Sequence, residues 1–169
     1  SSSYTVTATN SAGSATTNLT IIVNDAAPSS IVYNPSSSTL TINSQMNSVT
    51  PTAGGGAVQS WSISPPLPAG LSIGTLNGTI FGTPTAISNS TVYTVTATNL
   101  GGSGNTTITI QVNDISPYSL SYSPNFLELT KGTSMTPATP TNLGGTVTSW
   151  SISPSLPNGL SFDTVNGTI

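Results

Sequence analysis

Apolar side chains along this chain alternate with hydroxyl-bearing ones over short stretches, and the alternation has the period of a strand with one buried face. Tyr4-Thr5-Val6-Thr7-Ala8-Thr9 and Thr20-Ile21-Ile22-Val23 are examples, rich in the β-branched residues that pack well on a pleated surface. Glycine and proline break the pattern every ten residues or so. No stretch carries the helical period, so no helix is predicted. Apolar runs are only a few residues long, too short for a membrane-spanning helix, and the Ser1-Ser2-Ser3 start does not read as a signal peptide.

The pattern recurs. Tyr4 to Asn10 (YTVTATN) returns at Tyr93 to Asn99, Val23-Asn24-Asp25 at Val112-Asn113-Asp114, Trp61-Ser62-Ile63-Ser64 at Trp150-Ser151-Ile152-Ser153, and Asn77-Gly78-Thr79-Ile80 at Asn166-Gly167-Thr168-Ile169. Every offset is 89, and residues 1 to 80 align on 90 to 169 without a gap, with 45 of the 80 pairs identical. A unit of 89 residues suits one sandwich domain and is too long for a solenoid coil. Seven strands are predicted within one period, near 30–33, 38–43, 57–63, 70–73, 78–81, 91–98 and 106–112. That density of short strands between Pro and Gly turns predicts an all-β chain of tandem immunoglobulin-like sandwiches.

Trp61 and Trp150 fall mid-unit in a Ser-Trp-Ser-Ile alternation, with Ile63 or Ile152 on the same face. They read as core aromatics in preference to a sugar-stacking platform. Asn77-Gly78 and Asn166-Gly167 are expected to supply the positive φ of a type I′ hairpin turn.

Composition narrows the chemistry. There are 29 Ser and 30 Thr among the 169 residues, no cysteine, no histidine, one lysine and four carboxylates. Such a bias in hydroxyl residues suggests disorder, but strand-like alternation is not something disorder requires. Without imidazole or thiol there is no Ser-His-Asp or Cys-His nucleophile and no zinc or copper site of the usual kind. The chain is therefore read as not an enzyme. Lys131 is the one cation, which excludes a basic patch for nucleic acid. Disulfides are ruled out as the source of stability. With so few carboxylates, acid is expected to change folding stability little.

The runs Leu67-Pro68-Ala69-Gly70-Leu71-Ser72, Asn77-Gly78-Thr79-Ile80-Phe81-Gly82-Thr83-Pro84-Thr85 and Tyr93 to Asn99 occur together and in order. In this they resemble the "Putative Ig domain" family, a cadherin-like, dystroglycan-type group found in tandem in bacterial and archaeal surface proteins. The second copy carries Leu156-Pro157-Asn158-Gly159-Leu160-Ser161 and lacks the Gly-Thr-Pro-Thr block. The resemblance implies an extracellular or cell-surface location and a structural or adhesive role.

Against the repeat, residues 26–114 make one whole domain, 1–25 hold the last two strands of an incomplete one, and 115–169 hold the first strands of another. Neither flank is expected to be stable alone, because a lone hairpin buries too little apolar surface to offset ordering at roughly 1 to 2 kcal/mol per residue. Two arrangements fit: a continuous tandem array, or a head-to-tail homopolymer in which the hairpin of one subunit completes the open sandwich of the next. Both give a filament or stalk. The chain's expected partner is therefore itself.

The remaining candidates have simpler readings beside them. Asp25 and Asp114 lie where cadherin domains gather interdomain calcium, but a calcium site takes six to eight oxygens and each junction offers one acid. No cofactor or metal site is expected; calcium stays as the alternative, to be read by the effect of EDTA on melting. Glu128 and Asp163 would suit a glycosidase pair, but their counterparts are Thr39 and Gly74, so surface substitution explains them better. Lys131, a candidate for an isopeptide bond, has Ile42 as its counterpart. Asn18, Asn77, Asn89, Asn105 and Asn166 each begin an Asn-x-Ser/Thr sequon, and covalent glycan would hydrate a sparsely charged fibre. Leu67-Pro68-Ala69-Gly70 and Leu156-Pro157-Asn158-Gly159 lack the threonine of a sortase signal. An adhesin or carbohydrate-binding module using Tyr118, Phe126 or Phe81 is the alternative function; Tyr118 and Phe126 replace Ser29 and Ser37, so such a site would serve one repeat only.

Overall fold

A computed structural model describes residues 1–169, and its ordered elements are all strands. The first two, β1 (Ser2–Asn10) and β2 (Gly13–Ile21), form an antiparallel hairpin that pairs only with itself. Neither strand meets any other element. Asn10 closes its turn, Oδ1 accepting the Ala12 and Gly13 N–H groups at 2.8 and 3.1 Å.

Eight strands follow: β3 (Pro28–Val32), β4 (Ser37–Thr41), β5 (Thr52–Gly55), β6 (Ser60–Ser64), β7 (Leu71–Ile73), β8 (Ile80–Gly82), β9 (Ser88–Asn99) and β10 (Gly102–Asn113). One sheet runs β4-β10-β9-β6, with β4 parallel to β10 and the other neighbours antiparallel. The ladders β3–β5 and β7–β8 supply the rest, and a bridge between Val49 and Ile80 adds the segment before β5 to the latter. Inward-facing residues alternate along β9 and β10, so that Tyr93, Val95, Ala97, Ile108, Ile110 and Val112 are all nearly inaccessible. The first five of these meet Ile31, Tyr33, Met46, Val49, Trp61, Leu71 and Ile80 in one continuous core. The outward positions of the same strands carry threonine, as at Thr94, Thr98 and Thr107, which explains how so polar a sequence still encloses an apolar interior.

Two expectations need correction. Seven strands are predicted for this unit and eight are found: the omitted one is β5, whose sequence Thr52-Ala53-Gly54-Gly55 carries no apolar alternation and pairs with β3 through its backbone. The hairpin β7–β8 is also not a two-residue type I′ turn at Asn77-Gly78. Its loop runs from Gly74 to Thr79, closed by Gly74 N–H to Thr79 O and Gly78 N–H to Gly74 O, each 2.8 Å, and only Gly78 has positive φ, at 69°. Gly78 is required for space as well, since a Cβ there would lie 2.7 Å from the Trp61 ring and from Pro51.

Past Asn113, regular structure thins out to β11 (Ser121–Tyr122) and β12 (Pro140–Thr141), which pair with each other. Individual fastenings of the first unit nevertheless reappear 89 residues on. The Tyr33 hydroxyl donates to Gly78 O at 2.5 Å and Tyr122 to Gly167 O at 2.5 Å; Trp61 N–H donates to Thr75 O at 2.8 Å and Trp150 N–H to Thr164 O at 3.0 Å. The two-way bridge of Val49 with Ile80 is matched by Ala138 with Ile169.

Candidate functional site

Two segments of the molecule expose apolar side chains that their repeat counterparts bury. One is the inner face of the β1–β2 hairpin. Tyr4 pairs with Leu19 and Val6 with Thr17, in the same register in which Tyr93 pairs with Ile108 and Val95 with Thr106. The surroundings differ completely: Tyr4 and Leu19 are each 50% exposed where Tyr93 and Ile108 are 4% and 1%, and Val23 is 88% exposed where Val112 is 2%. Backbone pairing and threonine-rich outer positions hold the hairpin together, while its apolar face stays bare.

The other surface is the segment 115–169. Its counterparts of β4 and β6, Phe126–Thr130 and Ser149–Ser153, form no strands. In the complete unit those strands flank β10 and β9; here nothing equivalent lies between them. Trp150 is consequently only half-buried while Trp61 is buried, and Ile152, Leu127, Leu129 and Leu120 are exposed. A groove in this region is lined by Leu120, Tyr122, Leu127 and Ile169.

Other sequence candidates stand apart from these faces. Asn18, Asn77, Asn89, Asn105 and Asn166 are all exposed. The Oδ1 of Asn77 accepts the Thr79 N–H at 3.0 Å, that of Asn166 accepts the Thr168 N–H at 2.9 Å, and that of Asn18 accepts the Thr5 hydroxyl at 3.1 Å. No three acids come together anywhere in the chain. The Asp114 carboxylate caps its own linker, accepting the Ile115 N–H at 2.8 Å. Glu128 and Lys131 are exposed, as are Tyr118, Phe126 and Phe81.

Two groups were not singled out by sequence. Asn99 is buried at the end of β9, its amide donating to Ala26 O at 2.7 Å and Ala57 O at 3.2 Å while its Oδ1 accepts the Gly101 N–H. It thereby fixes where the chain enters the domain, and its presence as the last residue of YTVTATN was the available signal. Tyr33 is the other: burial strips water from its phenol and pushes the pKa up to about 12, with the proton held on Gly78 O.

An antiparallel and mixed sandwich with a single apolar core, no helix and strands joined by Gly and Pro turns is an immunoglobulin-like β-sandwich. Residues 27–113 match the family described as "Putative Ig domain", and the chain belongs to that family. Among solved structures, it is similar to human protocadherin-24 EC1-2 at 13% identity, covering 86% of this chain and 77% of that one with a TM-score of 0.40. It is also similar to an I-band fragment of titin at 13% identity, covering 98% of this chain and 62% of that one with a TM-score of 0.44. No curated protein matches the chain. No helix is long and apolar enough to cross a membrane.

Proposed function

We propose that the chain is a structural component of an extracellular filament, stalk or surface array built from head-to-tail Ig-like domains. In this reading residues 1–25 end one domain, 26–114 form a whole one and 115–169 begin another. The observation that carries it is the 89-residue repeat: the hairpin of residues 2–21 has the pairing register of β9–β10, and the Tyr33 and Trp61 fastenings of the eight-stranded unit reappear at Tyr122 and Trp150. A chain that writes the same sandwich unit again and again is built to be extended. The residue inventory agrees, since one lysine and four scattered carboxylates leave catalysis few groups to work with. Exposed sequons at Asn18, Asn77, Asn89, Asn105 and Asn166 would give such a fibre a hydrated glycan coat, visible as added mass on native material.

Negative-stain imaging of native material tests the proposal. The expected image is a thin fibre or stalk with an axial repeat of about 40 Å, the length of a 12-residue strand at ~3.4 Å per residue. Isolated particles with no axial repeat would contradict it.

A further inference from the structure

We infer that Asn158 is a site of spontaneous covalent modification: it converts to aspartate and isoaspartate in the folded protein, while two other asparagines in the same dipeptide are held unreactive. The chain contains three Asn-Gly pairs, Asn77-Gly78, Asn158-Gly159 and Asn166-Gly167. Each has the atoms for one reaction. The backbone nitrogen of the glycine attacks the asparagine Cγ, a C–N bond forms, and the side-chain Nδ2 leaves as ammonia, closing a cyclic imide. Water then opens that ring at either carbonyl, so a neutral amide becomes a carboxylate. Glycine favours the step because it has no Cβ to obstruct ring closure. What the fold decides is whether the glycine nitrogen is free to attack.

At two of the pairs it is not. Gly78 is buried, its N–H donates to Gly74 O at 2.8 Å, and the Asn77 Oδ1 accepts the Thr79 N–H at 3.0 Å. Gly167 repeats the arrangement: it is buried and donates to Asp163 O at 2.8 Å, while Asn166 Oδ1 accepts the Thr168 N–H at 2.9 Å. Both glycines also lie close against a tryptophan ring, Trp61 or Trp150, so ring closure there needs the loop to open first. Asn158-Gly159 sits instead in an exposed turn, where the Leu160 N–H donates to Pro157 O at 3.2 Å and Gly159 takes a φ of 97°. The Gly159 N–H donates to no protein group.

The complete unit shows that this freedom belongs to the turn itself. There Leu71 N–H donates to Pro68 O at 3.0 Å and Gly70 has a φ of 88°. The Thr83 and Thr85 N–H groups donate to Gly70 O and Ala69 O at 3.1 and 2.8 Å, and the N–H of the exposed Gly70 stays unbonded. A finished sandwich thus engages the carbonyls of this turn and leaves its glycine nitrogen alone. Asparagine stands at 158 where alanine stands at 69, so the second copy carries the reactive pair and the first does not. Conversion adds one carboxylate to a chain of formal charge −3, an ageing mark on a surface with almost no other charge.

Peptide mapping by mass spectrometry, on the folded 169-residue chain held at mildly alkaline pH, reads the three sites side by side through the mass gained when an amide becomes an acid. Asn158 should convert at least about tenfold faster than Asn77 or Asn166, the difference being the local opening that the bonded glycines require. In urea the three rates should converge, because only the dipeptide then counts. Asn158→Ala, which restores the residue of the first copy, should remove the fast conversion and leave the melting of the eight-stranded unit unchanged. Ala69→Asn copies the pair into the same turn of the complete unit and should create a second fast site there. Equal rates at Asn77 and Asn158 in the folded chain, an Asn158 that converts only in urea, or no new fast site in Ala69→Asn would overturn the inference.

Discussion

The β1–β2 and β9–β10 hairpins share the heptapeptide Tyr-Thr-Val-Thr-Ala-Thr-Asn, the same pairing register and the same outer row of threonines, yet one has its apolar face in solvent and the other in a core. Local sequence therefore suffices to form this hairpin's geometry, and neighbours decide whether it contributes to stability. An isolated two-stranded hairpin is marginal in water. The same strands flanked by β4 and β6 become the centre of a sheet, where side chains such as Val95 and Ile110 are fully removed from solvent. Burial of each is worth about 1.5 to 3 kcal/mol relative to exposure.

The sharpest way to break this comparison is to place a charge at matched positions. Val95→Asp is expected to cost about 4 kcal/mol or more, because it puts an unpaired carboxylate in a sealed core. Val6→Asp in dispersed chain should change the melting of the eight-stranded unit by no more than about 0.5 kcal/mol. Urea unfolding followed by tryptophan fluorescence distinguishes them, and equal losses would show that the two hairpins are energetically alike.

The tryptophans give the next contrast. Trp61→Ala should cost about 3 to 5 kcal/mol as a large core deletion. Trp150→Ala, in the segment without flanking strands, should leave the unfolding midpoint of the eight-stranded unit where it was, again within about 0.5 kcal/mol. Differential calorimetry on the two variants checks this.

Tyr33 sharpens the comparison through pH. Tyr33→Phe strands the Gly78 carbonyl without its donor and should cost about 1 to 3 kcal/mol. Burial favours the neutral phenol, so the native state keeps its proton to about 12 against 10.0 for an unperturbed tyrosine. Stability from this group is full below about pH 10 and is lost as pH rises through 12. The alkaline fall in melting temperature should therefore shrink in Tyr33→Phe; an identical profile would remove Tyr33 as its cause. The smallest effect is expected on the acid side. With four carboxylates in the whole chain, the melting temperature should barely move between about pH 7 and pH 3, and a drop of more than a few degrees would reveal a carboxylate interaction of larger weight.

Much of the fold was legible because the sandwich writes its inner face as alternation. Tyr93, Val95 and Ala97 point inward at every second position, and the Gly and Pro turns mark where each strand stops. Strand β5 escaped because its contribution is backbone pairing; Gly54 and Gly55 carry no side-chain signal to read. The six-residue β7–β8 loop escaped for a different reason. Asn-Gly reads as a two-residue turn, while the structure uses Asn77 Oδ1 to hold the Thr79 N–H and Gly78 to clear the Trp61 ring. Asn99 was hidden because an asparagine at a strand end looks like any turn residue until the two carbonyls it bridges are seen. The surfaces of interest were visible only as an offset between copies, since exposure of Tyr4 or Leu129 depends on which strands are nearby and not on the residues themselves.

Hydrogen exchange measured segment by segment on the 169-residue chain tests most directly whether neighbouring strands, and not local sequence, give the hairpin its stability. Residues 88–113 should be protected to the limit of global unfolding, while residues 2–21, with the same register and a bare apolar face, should exchange rapidly. Protection of residues 2–21 equal to that of 88–113 would contradict it.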